Sequence, residues 1–308
     1  MVSMLQRLKT DRKSAGSKDP TKKVLMFELV PALQAPAIVG KQFHNPKTHR
    51  IFNVMIRDLV SNDTFSYMWH EGEGIRGVNE ICSCLMKHIL SLPSNVTSIT
   101  LFSRAGHLIQ NALMSSTFLT CIQCHPGLLC IEHIIIPVNR LYECESQYEL
   151  INNLFQTSAS YVNIPSDWYK VVGKCSDVIE MKGKFYLYQN LFHGSNPLVK
   201  PKSTTDSFSV DLNKMYWFQY IDGLKPFLVS LKGSYDEGVP FKHIDFLRHG
   251  LSEPILKNSL QLRTPHLLPK KRKEEILSAL HLIEEVHHSL YLNLHVNEAV
   301  TDSEEEIV

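Results

Sequence analysis

Long hydrophobic runs are missing from this chain. None approaches the ~18 apolar residues that a membrane-spanning helix needs. The longest apolar block, Ile134-Ile135-Ile136-Pro137-Val138, has the length of a buried strand. A secretory leader is missing too, since residues 1–20 are charged and contain no apolar core. Excess charge of either sign is also missing: 32 Lys and Arg against 31 Asp and Glu leave a net +1. A domain that coats nucleic acid by charge alone is strongly basic, so that class is disfavoured. Cysteine is present in an odd number, 7, scattered along the chain. With no leader, these residues read as reduced thiols of an intracellular protein, nuclear or cytoplasmic. The sequons at Asn62 and Asn95 are then chance. Internal repeats are absent.

What is present is a core and an uneven distribution of charge. Hydrophobic residues make up 44% of the chain, enough for a real interior. Residues 1–23 carry Arg7, Lys9, Arg12, Lys13, Lys18, Lys22 and Lys23 against Asp11 and Asp19. The tail "NEAVTDSEEEIV" is acidic, with Ser303 in the setting of an acidophilic phosphorylation site, and its composition predicts disorder over 296–308. The turn-rich stretch "KSAGSKDP" makes residues 1–20 a loose basic segment.

Periodicity orders the rest. "KVLMFELVPAL" (23–33), "HRIFNVMIRDLV" (49–60) and "TFSYMWHE" (64–71) read as three strands, the last two joined by the turn "SND". Val78, Ile81, Leu85, Ile89 and Leu92 form a helical stripe closed by Pro93. A strand at 98–103, a helix at about 107–121, a strand at 130–139 and a helix at 143–159 follow. The last of these buries Tyr148, Ile151, Leu154 and Phe155. "PSDWYKVVGKC" starts a short helix capped by Ser166 or Asp167. The core therefore covers 21–176. Short strands dominate 177–295, with "HGSNPLVKPKSTTDS" a polar loop. This region ends in one long helix, "PKKRKEEILSALHLIEEVHHSLYLNL", with Ile276, Leu280, Ile283 and Leu290 inward.

Several segments go beyond periodicity. "KVLMFELVPALQAP", "IFNVMIRDL", "WHEGEGIRGVNEICSCLMKHI", "IPSDWYKVV", "MYWFQY" with the downstream "KPF" and "VPFK", and "LPKKRKEEILSALHLIEEVHHSLY" resemble an uncharacterised transposase-like domain spread by mobile elements through animal genomes. The resemblance covers most of residues 20–295, and "WHEGEGIRGVNEICSCL" is its most specific piece. It implies a ribonuclease H-like α/β fold: a mixed sheet of three antiparallel strands, then alternating helices and strands, with a small C-terminal β-rich extension and a terminal helix. It also implies an ancestral metal-dependent DNA strand transfer. That chemistry places two divalent ions about 4 Å apart, held by carboxylates.

At the positions the resemblance assigns to those acids, this chain departs from the pattern. Glu28 stands for an aspartate in the first strand. Arg104 replaces the aspartate after the fourth strand, in "SRAGHLIQNALM". Asn139-Arg140 stands where a glycine–histidine pair follows the fifth strand. Asn152 replaces a helical glutamate, with Glu145 and Glu149 near it. A monovalent anion about 4 Å from a divalent cation gains about 8 kcal/mol at an effective dielectric near 20, and an arginine there loses a similar amount. The expectation is a degenerate triad, no catalytic residues, and no cofactor, the ancestral metal site being lost. The Arg104 loop is then an inherited site that has lapsed or has become an anion-binding element.

Other motifs carry competing readings. "CIQCH" (121–125) has the spacing of c-type haem attachment but falls at a helix end and reads as chance. Cys82, Cys84, Cys121, Cys124, Cys130 and His125 could suggest zinc. They lack a second paired unit and read as buried thiols. "HEGEG" (70–74) with Glu80 offers surrogate metal ligands or a glycine-rich framework turn, the second favoured. "KKRK" (Lys270, Lys271, Arg272, Lys273) is an import signal, a phosphate contact or a solvated helix start. His287-His288 points two ways on one helix, which does not suit a metal. Trp69, Trp168 and Trp217 sit in apolar contexts and read as core.

Two alternatives accompany the transposase-derived reading. One is a DNA-binding module using Arg104, Arg140 and the Lys270–Lys273 stretch, although no helix-turn-helix or zinc finger precedes the core. The other is an enzyme with relocated acids, Glu28 joined by Asp58, Glu132 or Glu145. DNA is the only partner suggested, and no membrane association is expected.

Overall fold

The computed structural model of the protein describes residues 2–17, 19–35, 48–104, 112–136, 142–158, 163–187, 198–199, 210–223, 228–245, 261–264 and 266–297. Helix α1 (Val2–Ser17) precedes strands β1 (Lys22–Leu29), β2 (Leu33–Ala35), β3 (His49–Asp58) and β4 (Thr64–His70). Helix α2 (Val78–Leu90), β5 (Ser98–Arg104), α3 (Ala112–Cys124), β6 (Cys130–Ile136), α4 (Tyr142–Thr157) and α5 (Pro165–Val172) then alternate. The remaining strands are β7 (Asp177–Glu180), β8 (Tyr186–Leu187), β9 (Leu198–Val199), β10 (Val210–Asp211), β11 (Trp217–Ile221), β12 (Leu228–Lys232), β13 (Lys242–Asp245), β14 (Gln261–Leu262), β15 (Leu268–Pro269) and β16 (Val296–Asn297). Helices α6 (Lys270–Leu277) and α7 (His288–Leu292) lie between the last two strands.

This is a mixed α/β protein built on one 10-stranded sheet, ordered β13-β12-β11-β6-β5-β1-β3-β4-β7, with β2 beside β3. β1, β3 and β4 pair antiparallel, as the sequence predicts. β5 and β6 run parallel to β1 on its other side, each reached through a helix. Four of the strands after residue 176 extend the same sheet: β7 pairs parallel with β4, and β11, antiparallel to β6, leads on to β12 and β13, while β8 with β14, β9 with β10 and β15 with β16 form separate two-stranded sheets.

Alternation of side chains divides the core between the two faces. Leu25, Phe27, Ile99 and Leu101 face α2 and α3, meeting Ile81, Leu85 and Phe118. Val30, Ile51, Met55 and Met68 face α4 and α5, meeting Ile151, Phe155 and Trp168. Val24, Met26, Phe102 and Ile134 share that second face and meet Leu8 and Ala15 of α1. The expected stripes of α2 and α4 are the buried ones, and Trp69, Trp168 and Trp217 are core residues.

Four local expectations are corrected. Residues 2–17, read as loose from their polarity, form α1. The segment 23–33 is two strands, because Pro31 has no N–H to place in a ladder; β2 resumes pairing on the same edge of β3. The N-cap of α5 is Ile164, with Pro165 at the first helical position, and Asp167 reaches back so that its Oδ2 accepts the Ile164 N–H at 3.3 Å. The single C-terminal helix stops at Leu277, and the chain continues through 3₁₀ turns at Leu280–Leu282 and Glu285–His287, separated by Ile283 and Glu284, both extended. There side chains compete for the backbone: Ser278 Oγ donates to the Glu275 carbonyl, His281 Nδ1 contacts the Ser278 carbonyl and His288 Nε2 the Ile283 carbonyl. Folding back lets Ile276, Ile283, Tyr291 and Leu294 form one small core, which a straight helix could not do.

One glycine is fixed by close approach. A Cβ on Gly127, in the turn between α3 and β6, would lie 1.9 Å from the Ser94 carbonyl oxygen. The turn "SND" is also real, with Asn62 in the left-handed region at φ 65°.

Candidate functional site

The C-terminal ends of β1 and β5 lie side by side, with Phe27 registered against Ser103. The next residue on each strand is Glu28 and Arg104. Both alternate onto the face that carries α4. Arg104 Nε lies 3.3 Å from Glu28 Oε1, with side-chain exposures of 27% and 14%. The arginine at the strand tip is thus an ion-pair partner of the carboxylate on the neighbouring strand. Arg76 adds a second cation at this edge, its Nη2 donating to the Leu29 carbonyl at 3.4 Å.

Asn152 is half-buried on α4, beside Ile151, which packs in the cluster holding Val30 and Leu33. Arg140 and the Asn139-Arg140 pair lie outside the described residues, as do the side chain of Glu145 and the acidic tail from residue 298. Asn297 and Val296, at the head of that tail, form β16 against β15.

Of the other acids invoked for a relocated site, the two with described side chains, Asp58 and Glu132, do not gather around Glu28. Asp58 lies at the opposite end of β1, registered with Leu25, where its Oδ2 accepts from Lys23 Nζ at 2.7 Å. Glu132, midway along β6, accepts from Arg7 Nη2 at 2.8 Å and Gln219 Nε2 at 2.7 Å. Among the described residues, no three His, Cys, Asp or Glu side chains come together as a metal-binding group.

The "HEGEG" turn divides its acids. Glu71 is buried and accepts from Arg272 Nε and Nη2, each at 2.7 Å, and from the Arg50 N–H at 2.6 Å. Arg272 also donates to the Thr48 carbonyl at 2.6 Å. Glu80, fully buried, pairs with Arg263 and accepts from the Ile75 N–H. Glu71 and Glu80 therefore brace the framework. Within "KKRK", Arg272 is committed to Glu71, and Lys273 Nζ donates to the Leu292 and Leu294 carbonyls at 2.7 Å. Lys270 and Lys271 are exposed.

Glu73 and His70 border a cavity of about 460 Å³ that Ser289, Asn293 and Leu294 line from the C-terminal side. His70 Nδ1 accepts the Gly72 N–H at 3.1 Å, and the His70 N–H donates to Glu73 Oε2 at 3.3 Å. Burial, reinforced by Glu180, raises the Glu73 carboxyl to about 7. A carboxyl raised above its unfolded value contributes stability below the unfolded pKa, and that contribution is lost as pH rises toward 7. Glu73→Gln should therefore match the parent near pH 4 and exceed it by roughly 2–3 kcal/mol at pH 8. Urea unfolding at both pH values measures this, and an equal difference at both would refute it.

Burial also holds the thiols protonated. Cys82 is pushed up to about 12 and Cys130 to about 11, while Cys84 and Cys121 lie well above the ordinary thiol range. Cys82, Cys84 and Cys121 are buried free cysteines. His125, after "CIQC", contacts the Leu92 carbonyl at 3.1 Å.

Sequence reasoning missed the Glu71–Arg272 pair. The residues are 201 positions apart, and the only signal was an arginine inside a lysine run. Among the described residues, no helix is long and apolar enough to cross a membrane. Comparison with known proteins finds no matching family model, no matching curated protein and no matching solved structure.

Proposed function

We propose that the chain derives from a transposase, has a ribonuclease H-like core, and no longer carries out strand transfer. It persists as a binding or scaffold protein or as a remnant. The sheet order supports this, with three antiparallel strands followed by two that run parallel to the first. The observation that carries the reading is the contact between Arg104 and Glu28. Strand transfer requires carboxylates at adjoining strand ends to hold divalent cations. Here the guanidinium supplies Glu28 with the positive charge that a metal would supply, and it repels a cation from the same place.

Thermal unfolding tests this. A ligand that binds only the folded state raises the melting temperature. Millimolar magnesium or manganese should leave the melting temperature of the parent chain unchanged. The double variant Arg104→Asp with Asn152→Glu should acquire a manganese-dependent rise. A clear metal-dependent rise in the parent overturns the loss of the site, and no rise in the variant argues against an inherited one.

The DNA-binding alternative draws support from exposed Lys270 and Lys271, and less from Arg272 and Lys273, whose charges are engaged internally. It requires binding that weakens steeply with salt.

A further inference from the structure

The cavity of about 460 Å³ between the turn after β4 and the C-terminal segment has the volume of a small-molecule site. His70, Gly72 and Glu73 form one wall, and Ser289, Leu290 and Asn293 belong to the other. Both walls are anchored. Glu71, between His70 and Gly72, is held by Arg272 of α6. Lys273 of the same helix donates to the Leu292 and Leu294 carbonyls. Leu294 belongs to the small C-terminal core, and a Cβ on Gly72 would lie 2.9 Å from its Cδ2. The two walls therefore meet at a fixed seam.

The lining suits an organic cation better than a metal ion. His70, kept neutral by burial, accepts the Gly72 N–H at Nδ1, so its proton sits on Nε2 and no lone pair is free there for a metal. Nε2 lies 3.7 Å from Glu73 Oε1, beyond hydrogen-bond reach, while Glu73 Oε2 accepts the His70 N–H at 3.3 Å. The titratable groups around Glu73 are His70 of β4, Tyr169 of α5, Glu180 of β7, Lys182 and His295. Lys182 pairs with Glu180 at 3.2 Å. Burial, reinforced by Glu180, disfavours the charged form of Glu73, and a cation seated in the cavity would restore it. One carboxylate on the wall matches one positive charge. Ser289 and Asn293 add side-chain oxygens that accept N–H bonds, and Leu290 and Leu294 add apolar surface for a hydrocarbon chain.

We propose that this cavity binds a small primary alkylammonium ion, with Glu73 receiving the charged head and Leu290 and Leu294 the chain. The site is independent of the transposase-derived reading, since Glu28, Arg104 and Asn152 take no part in it.

Isothermal titration calorimetry of the full chain with n-pentylammonium chloride at pH 6, 7 and 8 tests it. The amine keeps its charge over that range. Binding draws on ionised Glu73, so affinity should rise about tenfold from pH 6 to pH 8. Near pH 7, runs in two buffers of different ionisation heat should show about half a proton released per site. Glu73→Gln should abolish binding. So should Asn293→Trp, which fills the cavity and keeps the carboxyl. 1-Pentanol has the same chain without the charge and should bind on the order of tenfold more weakly at pH 8. Urea unfolding checks that both variants are folded; if Asn293→Trp is not, the pH dependence and the alcohol comparison on the parent chain decide. The proposal is overturned if the amine does not bind at pH 8, if either folded variant binds like the parent, if affinity is flat with pH, or if the alcohol matches the amine.

Discussion

Acidification from pH 7 to pH 5 should cost the fold on the order of 5 kcal/mol, enough to bring a protein of ordinary stability near its unfolding midpoint. Burial drives His49, His70 and His133 down to about 3 and His88 to about 4; Arg272 adds to the effect at His49, and His49 adds to it at His70. A histidine lowered in the folded state contributes stability above its unfolded value. That stability is lost as pH falls from about 6.5 toward the folded value. At pH 5 each of the four has lost roughly 2 kcal/mol. Glu73, raised to about 7, works in the opposite direction and returns part of the loss over the same interval.

His133 isolates one of these contributions. Its ring lies among Phe27, Phe118 and Phe218, with Nε2 2.7 Å from Ser103 Oγ. His133→Phe combined with Ser103→Ala replaces the polar pair by apolar groups and leaves no orphaned hydroxyl. Urea unfolding should show that this variant loses about 2 kcal/mol less than the parent between pH 7 and pH 5. Equal pH slopes in the two proteins would show that His133 titrates normally.

Removing the Arg272 side chain is the second large effect. Arg272→Met should destabilise the fold by about 3–5 kcal/mol, because it strands a buried carboxylate. Glu71 is 6% exposed, and its remaining partner would be the Arg50 N–H, with His49 Nδ1 3.5 Å away. The Thr48 carbonyl would lose its donor as well. Adding Glu71→Gln removes the stranded charge and should recover part of the loss, a coupling that a double-mutant cycle measures. Lys271→Met, one residue away and exposed, should change stability by less than about 0.5 kcal/mol. If Arg272→Met proved as mild as Lys271→Met, the pair would not hold the C-terminal elements to the sheet.

The contrast between those two neighbours shows which parts of this molecule are legible in its sequence. Strands such as "IFNVMIRD" are legible because a central strand buries both faces, and its composition says so directly. The stripes of α2 and α4 are legible for the same reason, through Ile81, Leu85, Ile89, Ile151 and Phe155. The juxtaposition of Glu28 and Arg104 followed only from the resemblance, since nothing local to either residue names its partner. Arg272 was not legible, because its role depends on Glu71, which belongs to another part of the chain. Helix α1 was hidden by its own polarity: among its described side chains, Arg7 reaches the distant acids Glu132 and Glu237 while Leu8 and Ala15 pack on the sheet. The stop at Leu277 escaped because the helical period persists in the sequence while histidine and serine side chains take over the backbone hydrogen bonds.

The order of strands has a consequence for how the chain is made. β4 and β6 bound the group of strands encoded before residue 176, and both are flanked by strands that leave the ribosome later: β7 beside β4, and β11 beside β6. Until those later residues emerge, a nascent chain exposes two unpaired ladders at once, each a template for pairing with another polypeptide. The β6 edge is covered only once β11, ending at Ile221, is available, and the sheet is complete only with β13, ending at Asp245.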